Sequence, residues 1–172
     1  MKSQMYNIIY KGCDIMIIRR AKDSDIEGIN SLLRQVLYVH HVDRPDIFKA
    51  EGKKYRDEEL RAIIADDSTP LFIAVEEDSR KVLGHCFCVI NEVKGHSSLM
   101  DCKTLYIDDL CIDEGARGQH IGKALYDFAV NYAKEIGCYN LTLNVWAKNT
   151  SALKFYEAMG LLPQKYGMEL IL

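Results

Sequence analysis

"DDLCIDEGARGQHIGKALYDFA", residues 108–129, reads as a strand, a charged turn with glycines, and a helix that opens on Arg-Gly-Gln-His-Ile-Gly. Ile121, Leu125, Phe128, Ala129, Tyr132 and Ile136 recur at intervals of three and four, so the helix lays one face on a sheet and stops at Gly137. Such a turn aims several backbone N–H groups and the positive end of a helix at one spot. That arrangement suits an anion, usually a phosphate.

The surroundings of this unit set the fold class. Upstream, "MIIRRA" (16–21) is a strand, and "KDSDIEGINSLLRQVLYVH" (22–40) is an amphipathic helix with Asp23 or Ser24 as its N-cap. The irregular, charged stretch "HHVDRPDIFKAEGKKY" (40–55) leads to a second helix, "DEELRAIIA" (57–65), and is a candidate substrate loop. "LFIAVEE" (71–77) and "VLGHCFCVINEV" (82–93) form a hairpin, and "CKTLYIDDLCID" (102–113) is the next strand. Downstream come the strand "NLTLNVW" (140–146), the helix "NTSALKFYEAMG" (149–160) and a closing strand "QKYGMELIL" (164–172). This order is an α/β, α+β-like arrangement around a mixed, mostly antiparallel sheet. Residues 1–15 read as an N-terminal extension and residues 16–172 as a single domain, with no repeats or linkers to divide it.

Composition removes several classes of function. A chain of 172 residues with 27 % charged residues and a formal net charge of −3 has no basic stripe for a phosphate backbone, so nucleic acid is not an expected partner. No run approaches the roughly 18 apolar residues needed to span a bilayer, and no signal-peptide core is present, which gives the expectation of a cytoplasmic protein without a membrane partner. The six cysteines show no C-x-x-C pair, so they read as reduced thiols and no metal site is expected.

The phosphate loop is neither G-x-x-x-x-G-K-[ST] nor G-x-G-x-x-G, which sets aside nucleoside triphosphates and NAD. Gly118 and Gly122 keep the backbone of "ARGQHIGKAL" free of side-chain bulk, and Arg117 adds a positive charge. The N–H groups from Gln119 through His120, Ile121 and Gly122 to Lys123 can then point at a pyrophosphate. About thirty residues on, "NTSALKFYEAMG" offers Asn149 as an N-cap and Tyr156 beside the apolar stripe of Ala152, Phe155 and Met159.

These two motifs, in this order and spacing, resemble the GNAT superfamily of N-acetyltransferases, which use acetyl-CoA. The likeness covers most of the chain from Met16 onward. It implies the acetyltransferase (GNAT) fold, a six- to seven-stranded sheet with helices on both faces. In the family's pyrophosphate motif, (Q/R)-x-x-G-x-(G/A), Arg117 and Gly122 fill the first and last places, while His120 stands where the middle glycine is usual. A side chain there is harmless in right-handed backbone and matters if the loop needs positive φ.

The resemblance further implies that the pantetheine arm of coenzyme A lies along Leu110, Cys111 and Ile112 like an added strand, with Asn149 near its amides. The N–H of Ile112 would meet the thioester carbonyl, and Tyr156 would protonate the leaving sulfur. An amine with a pKa near 10 is protonated at neutral pH and must lose a proton before attack. Asp108 and Asp109 are the candidate bases. Strand alternation puts Asp108, Leu110 and Ile112 on one face and Asp109 and Cys111 on the other unless a bulge intervenes. "LYIDDLCI" resembles diamine acetyltransferases, whose first acid of such a pair has the base role, and this favours Asp108. Cys111 could instead take the acetyl group covalently, but nothing in the sequence supplies it with a histidine base.

The expected function is N-acetyl transfer from acetyl-CoA to a primary amine of a small molecule or peptide. The other reading is a non-catalytic acyl-CoA-binding module, which would need the phosphate loop but neither base nor acid. The acceptor is open, and an exposed closing strand at "GMELIL" is compatible with a homodimer.

Overall fold

Alternating apolar runs become strands and 3.6-period runs become helices in the computed structural model, which describes residues 6–10 and 14–172. The strands are β1 (Tyr6–Tyr10), β2 (Asp14–Arg20), β3 (Leu71–Glu76), β4 (Val82–Val93), β5 (Cys102–Ile112) and β6 (Asn140–Leu143), in that spatial order. The helices are α1 (Ile26–Asp43), α2 (Asp57–Ala65), α3 (Ile121–Glu135) and α4 (Thr150–Ala158). Neighbouring strands are antiparallel except β5 and β6, which run parallel and are joined through α3. Of the expected extension, Tyr6–Tyr10 is a strand paired with β2, and residues 1–5 and 11–13 lie outside the described residues.

Helices cover both faces of the sheet. On one face Leu125, Phe128, Ala129 and Tyr132 of α3 pack on Ile18, Phe72, Cys86 and Leu105. On the other, Ile26, Ile29, Leu32 and Leu33 of α1 and Leu60 of α2 pack on Leu71, Ile73, Val75 and Phe87. Each such large side chain contributes about 1.5–3 kcal/mol by leaving water. Gly84 lets α3 approach closely, because a Cβ there would stand 2.6 Å from Ile112 Cδ1 and 2.9 Å from Leu125 Cδ1.

Three local expectations change. The first helix is preceded by a 3-10 turn over Asp23–Asp25, and Asp25, rather than Asp23 or Ser24, is its N-cap residue. The Asp25 carboxylate accepts from the Lys22 N–H at 2.7 Å and from Arg19 at 2.8 and 3.0 Å, so it braces the turn instead of bonding into the helix. The strand expected over 140–146 ends at Leu143, where the chain leaves β5. The closing strand is absent: residues 161–172 have no regular structure among the described residues, so the sheet has six strands and not seven. Tyr166, Met168, Leu170 and Leu172 are 82–110 % exposed, and alternation without a partner strand makes no ladder.

Candidate active site

The site forms where β5 outruns β6. Pairing between them covers only Thr104–Ile107 with Asn140–Leu143, so beyond Ile107 the edge of β5 that faces β6 has no neighbouring strand among the described residues. On its other side β5 continues to pair with β4 through Ile112. The Asp113 N–H donates to Leu83 O on the β4 side at 2.9 Å, and strand alternation therefore turns the N–H groups of Ile112 and Leu110 toward the open side.

A β-bulge lies at the start of this opening. Phe87 pairs with Asp109 and Cys88 with Ile107, which leaves Asp108 as the extra residue. The bulge overturns simple alternation: Asp108 and Asp109 do not face apart but meet at one cation. Lys54, in the connection between α1 and α2, donates through Nζ to Asp108 Oδ2 at 3.0 Å and to Asp109 Oδ2 at 3.4 Å. Leu110 and Ile112 pack toward α3, whereas Cys111 is buried against α1.

The two carboxylates differ in environment. The Asp108 side chain is 36 % exposed and that of Asp109 only 8 %. Burial pushes the Asp109 carboxyl up, but His85 and Lys54 outweigh it and hold the group below the ordinary carboxylate range. His85 is fully buried in β4, with Nε2 3.6 Å from Asp109 Oδ1, just beyond hydrogen-bond reach, and neither ring nitrogen has a hydrogen-bond partner. His40, at the end of α1, stacks on Phe48 at 4.9 Å, and burial lowers its pKa against the opposing charge of Asp109.

The Cys111 thiol points away from the opening, with Sγ 3.8 Å from Leu32 O. Burial, with Asp109 adding to it, pushes this thiol up to about 12, and the Cys111 backbone is turned to His85 of β4, so the free β5 edge is offered by Leu110 and Ile112 rather than by Cys111. Tyr156 in α4 is half-buried, and burial first, then Cys86 and Asp109, raises its phenol well above the usual value. The proton stays on the phenol at neutral pH. Phe155 packs on the α3-side core, at 5.2 Å from the Tyr156 ring, as the stripe of apolar residues in α4 anticipates. The Asn149 side chain accepts from the Ala152 N–H at 3.1 Å, confirming the N-cap.

At the other end of the opening the turn after β5 leads into α3. Asp113 accepts from Gly115 N–H and Gln35 Nε2, and Gln35 Oε1 accepts from Glu114 N–H at 3.0 Å, which ties the turn to α1. Gly118 has φ 75° and His120 φ 60°, so the loop does adopt the left-handed backbone that a middle glycine would serve, and His120 is the N-cap residue of α3. A Cβ on Gly118 would meet nothing within 4 Å, and one on Gly122 nothing closer than 3.5 Å. Neither glycine is required by packing in the chain itself. Arg117 donates through Nε to Ile112 O at 3.4 Å, and the first turn of α3 carries no acidic residue. The Gln119 side-chain oxygen is buried without a partner. Open N–H groups at a helix start, an open glycine loop and adjacent basic side chains fit a pyrophosphate, and the free edge at Leu110 and Ile112 fits an extended amide-bearing arm.

Sequence reasoning missed His85, Lys54, Gln35 and the paired orientation of the aspartates. Lys54 lay within the stretch marked as a candidate substrate loop. His85 carried a usable signal, a lone imidazole in the apolar run "VLGHCFCV".

The fold and site define a mixed α/β protein that opens its sheet for an extended, phosphate-bearing ligand. The profile of the Acetyltransferase (GNAT) family matches residues 36–161, and the chain belongs to that family. It is 28 % identical over 148 residues to the probable glucosamine 6-phosphate N-acetyltransferase of Drosophila melanogaster, covering 84 % of this chain and 60 % of that protein. The chain thus spans less than two thirds of that relative's length. It is also 28 % identical over 145 residues to the peptidyl-lysine N-acetyltransferase YjaB of Salmonella typhimurium, covering 83 % of this chain and 81 % of that one. Among solved structures, a tetramutant of the BH1408 protein from Bacillus halodurans superposes with a TM-score of 0.85 at 28 % identity, over 90 % of this chain and 99 % of that one.

Proposed function

We propose that the protein is an N-acetyltransferase that moves the acetyl group of acetyl-CoA to a primary amine by direct attack. The observation that carries this reading is the free β5 edge at Leu110 and Ile112, which lies between the α3 N-terminus and the Asp108–Asp109 pair. Acetyl-CoA supplies the activated acetyl thioester. The first-turn N–H groups of α3, with Arg117 and Lys123, bind its pyrophosphate, and the Leu110 N–H and Asn149 hold the pantetheine amides. The Ile112 N–H polarises the thioester carbonyl oxygen.

Asp108 and Asp109 hold the acceptor as an ammonium. Because Asp109 sits below the ordinary carboxylate range, it favours the charged amine, and the proton leaves through the more exposed Asp108 to water. Tyr156, with its proton retained, donates a hydrogen bond to the departing sulfur, which takes its proton from water. The buried, protonated Cys111 thiol argues against a covalent acetyl-enzyme. The alternating apolar residues of the tail support pairing with a second copy, and a cytoplasmic location agrees with the reduced cysteines.

The test follows coenzyme A release with a thiol reagent across amines that include an amino sugar phosphate, a lysine peptide and an alkylamine. At least one amine should accelerate release, and Tyr156→Phe and Asp108→Asn should each slow it by at least tenfold. Binding of acetyl-CoA without amine-dependent release would replace this reading with the acyl-CoA-binding module.

A further inference from the structure

The connection from α1 to α2 brings Lys54 against an unusual set of groups. Its Nζ lies 3.0 Å from Asp108, 3.4 Å from Asp109, 5.3 Å from the Tyr55 ring centre and 6.0 Å from that of Phe87. The Tyr55 and Phe87 rings are themselves stacked at 5.7 Å. Two carboxylates and two aromatic rings around one cation form an ammonium cage, since each ring adds an electrostatic attraction to the ion pair. A second feature marks the cage as more than a surface ion pair. His85, fully buried and with neither ring nitrogen hydrogen-bonded, stands 3.6 Å from the Asp109 carboxylate.

Beside the cage is a cavity of about 180 Å³ lined by Tyr55, Ile63, Thr69, Phe87, Val89 and Asp108. Its wall is mainly apolar or aromatic, and Asp108 supplies the carboxylate. That pairing of surfaces suits a molecule with an ammonium head and an aliphatic body.

We propose that Asp108, Asp109, Tyr55 and Phe87 form the acceptor's ammonium subsite, that Lys54 fills it from within the chain, and that an alkylammonium acceptor enters by displacing Lys54. This deepens the acetyltransferase reading and rests on it. Lys54 is then a tethered competitor and a specificity-determining residue. An acceptor binds only the fraction of molecules in which Lys54 has left, so its apparent dissociation constant is raised by the inverse of that fraction. Neutral and anionic amines gain nothing by displacing a cation from between two carboxylates, whereas an alkylammonium ion restores every contact that Lys54 gives up.

The test is calorimetric titration of n-butylamine at neutral pH into the coenzyme A-bound protein, comparing the parent chain with Lys54→Gln, Lys54→Met and Lys54→Arg. Circular dichroism melts identify which variants are folded, and either neutral substitution suffices. Lys54→Gln and Lys54→Met should bind n-butylammonium about tenfold more tightly, and Lys54→Arg should resemble the parent. Equal or weaker binding by the neutral variants, or no binding heat in any of the proteins, overturns the proposal. So does weakened binding of glucosamine 6-phosphate by Lys54→Gln, which would make Lys54 a ligand for an anionic acceptor. The readout is independent of turnover: tight butylammonium binding, with no amine of the panel accelerating coenzyme A release, would reject the enzyme reading and leave the ammonium cage standing.

Discussion

Replacing His120 by glycine isolates the backbone demand of the pyrophosphate loop. His120 has φ 60° and ψ 10°, a left-handed conformation that places Cβ close to the following carbonyl and costs a side-chain-bearing residue about 1–2 kcal/mol. Glycine removes that strain but loses about 0.5–1 kcal/mol of extra chain entropy on folding. The His120 side chain makes no cap hydrogen bond to its helix, so nothing in the cap offsets the relief. The net expectation is a gain of about 0.5–1 kcal/mol, or roughly 1–4 °C in Tm for a chain of this size. Differential scanning calorimetry of the parent, His120→Gly and His120→Ala measures it. His120→Ala keeps the strain and should melt with the parent, while His120→Gly should melt higher. If His120→Gly melts lower by 2 °C or more, the imidazole makes a stabilising contact and the strain argument fails.

Other consequences are as direct. Gly84→Ala would drive a Cβ within 2.9 Å of the Cys111 carbonyl and 2.6 Å of Ile112, so urea unfolding should show a loss of about 1–3 kcal/mol, whereas Gly122→Ala, whose Cβ has room in the first turn of α3, should gain about 0.4–1 kcal/mol by removing glycine's extra chain entropy. Asp109 is depressed in the folded chain, so its contribution is present above the unfolded carboxylate pKa of about 4 and is lost as pH falls through the folded value; Asp109→Asn should flatten the acid side of a stability–pH profile below about pH 5, and an unchanged slope would remove Asp109 from the linkage. If the tail pairs with a second copy, Leu170→Asp, which puts a charge into the alternating apolar stripe, should convert a dimer to a monomer in light scattering, and a parent chain already monomeric would discard the pairing.

Legibility in the sequence followed the range of the interactions. Helix α3 was readable from Ile121 to Gly137 because its apolar spacing and its stop are local, and Asn149 announced α4 because an N-cap bonds within three residues. The aspartate pair was readable as chemistry but not as geometry: the bulge at Asp108 depends on how β5 registers against β4, and "LYIDDLCI" carries no mark of it. Positive φ at His120 was raised by the usual glycine place in the motif but left open, since histidine itself does not announce left-handed backbone as glycine does. Lys54 meets carboxylates more than fifty residues away, a contact set by the packing of the α1–α2 connection rather than by any motif. The tail shows the converse failure. "YGMELIL" has the alternation of a strand, but alternation states only that a strand could form, and the partner that would complete the ladder is not within the described residues.

A single-turnover reaction with acetyl-CoA labelled in its acetyl group, mixed with n-butylamine and analysed by mass spectrometry, decides the assignment of the β5 opening. Labelled acetyl should appear on the amine nitrogen in step with free coenzyme A, with the transfer lost in Asp109→Asn and no label left on the protein. Coenzyme A released without an acetylated amine, or label retained on Cys111, would contradict direct transfer at this site.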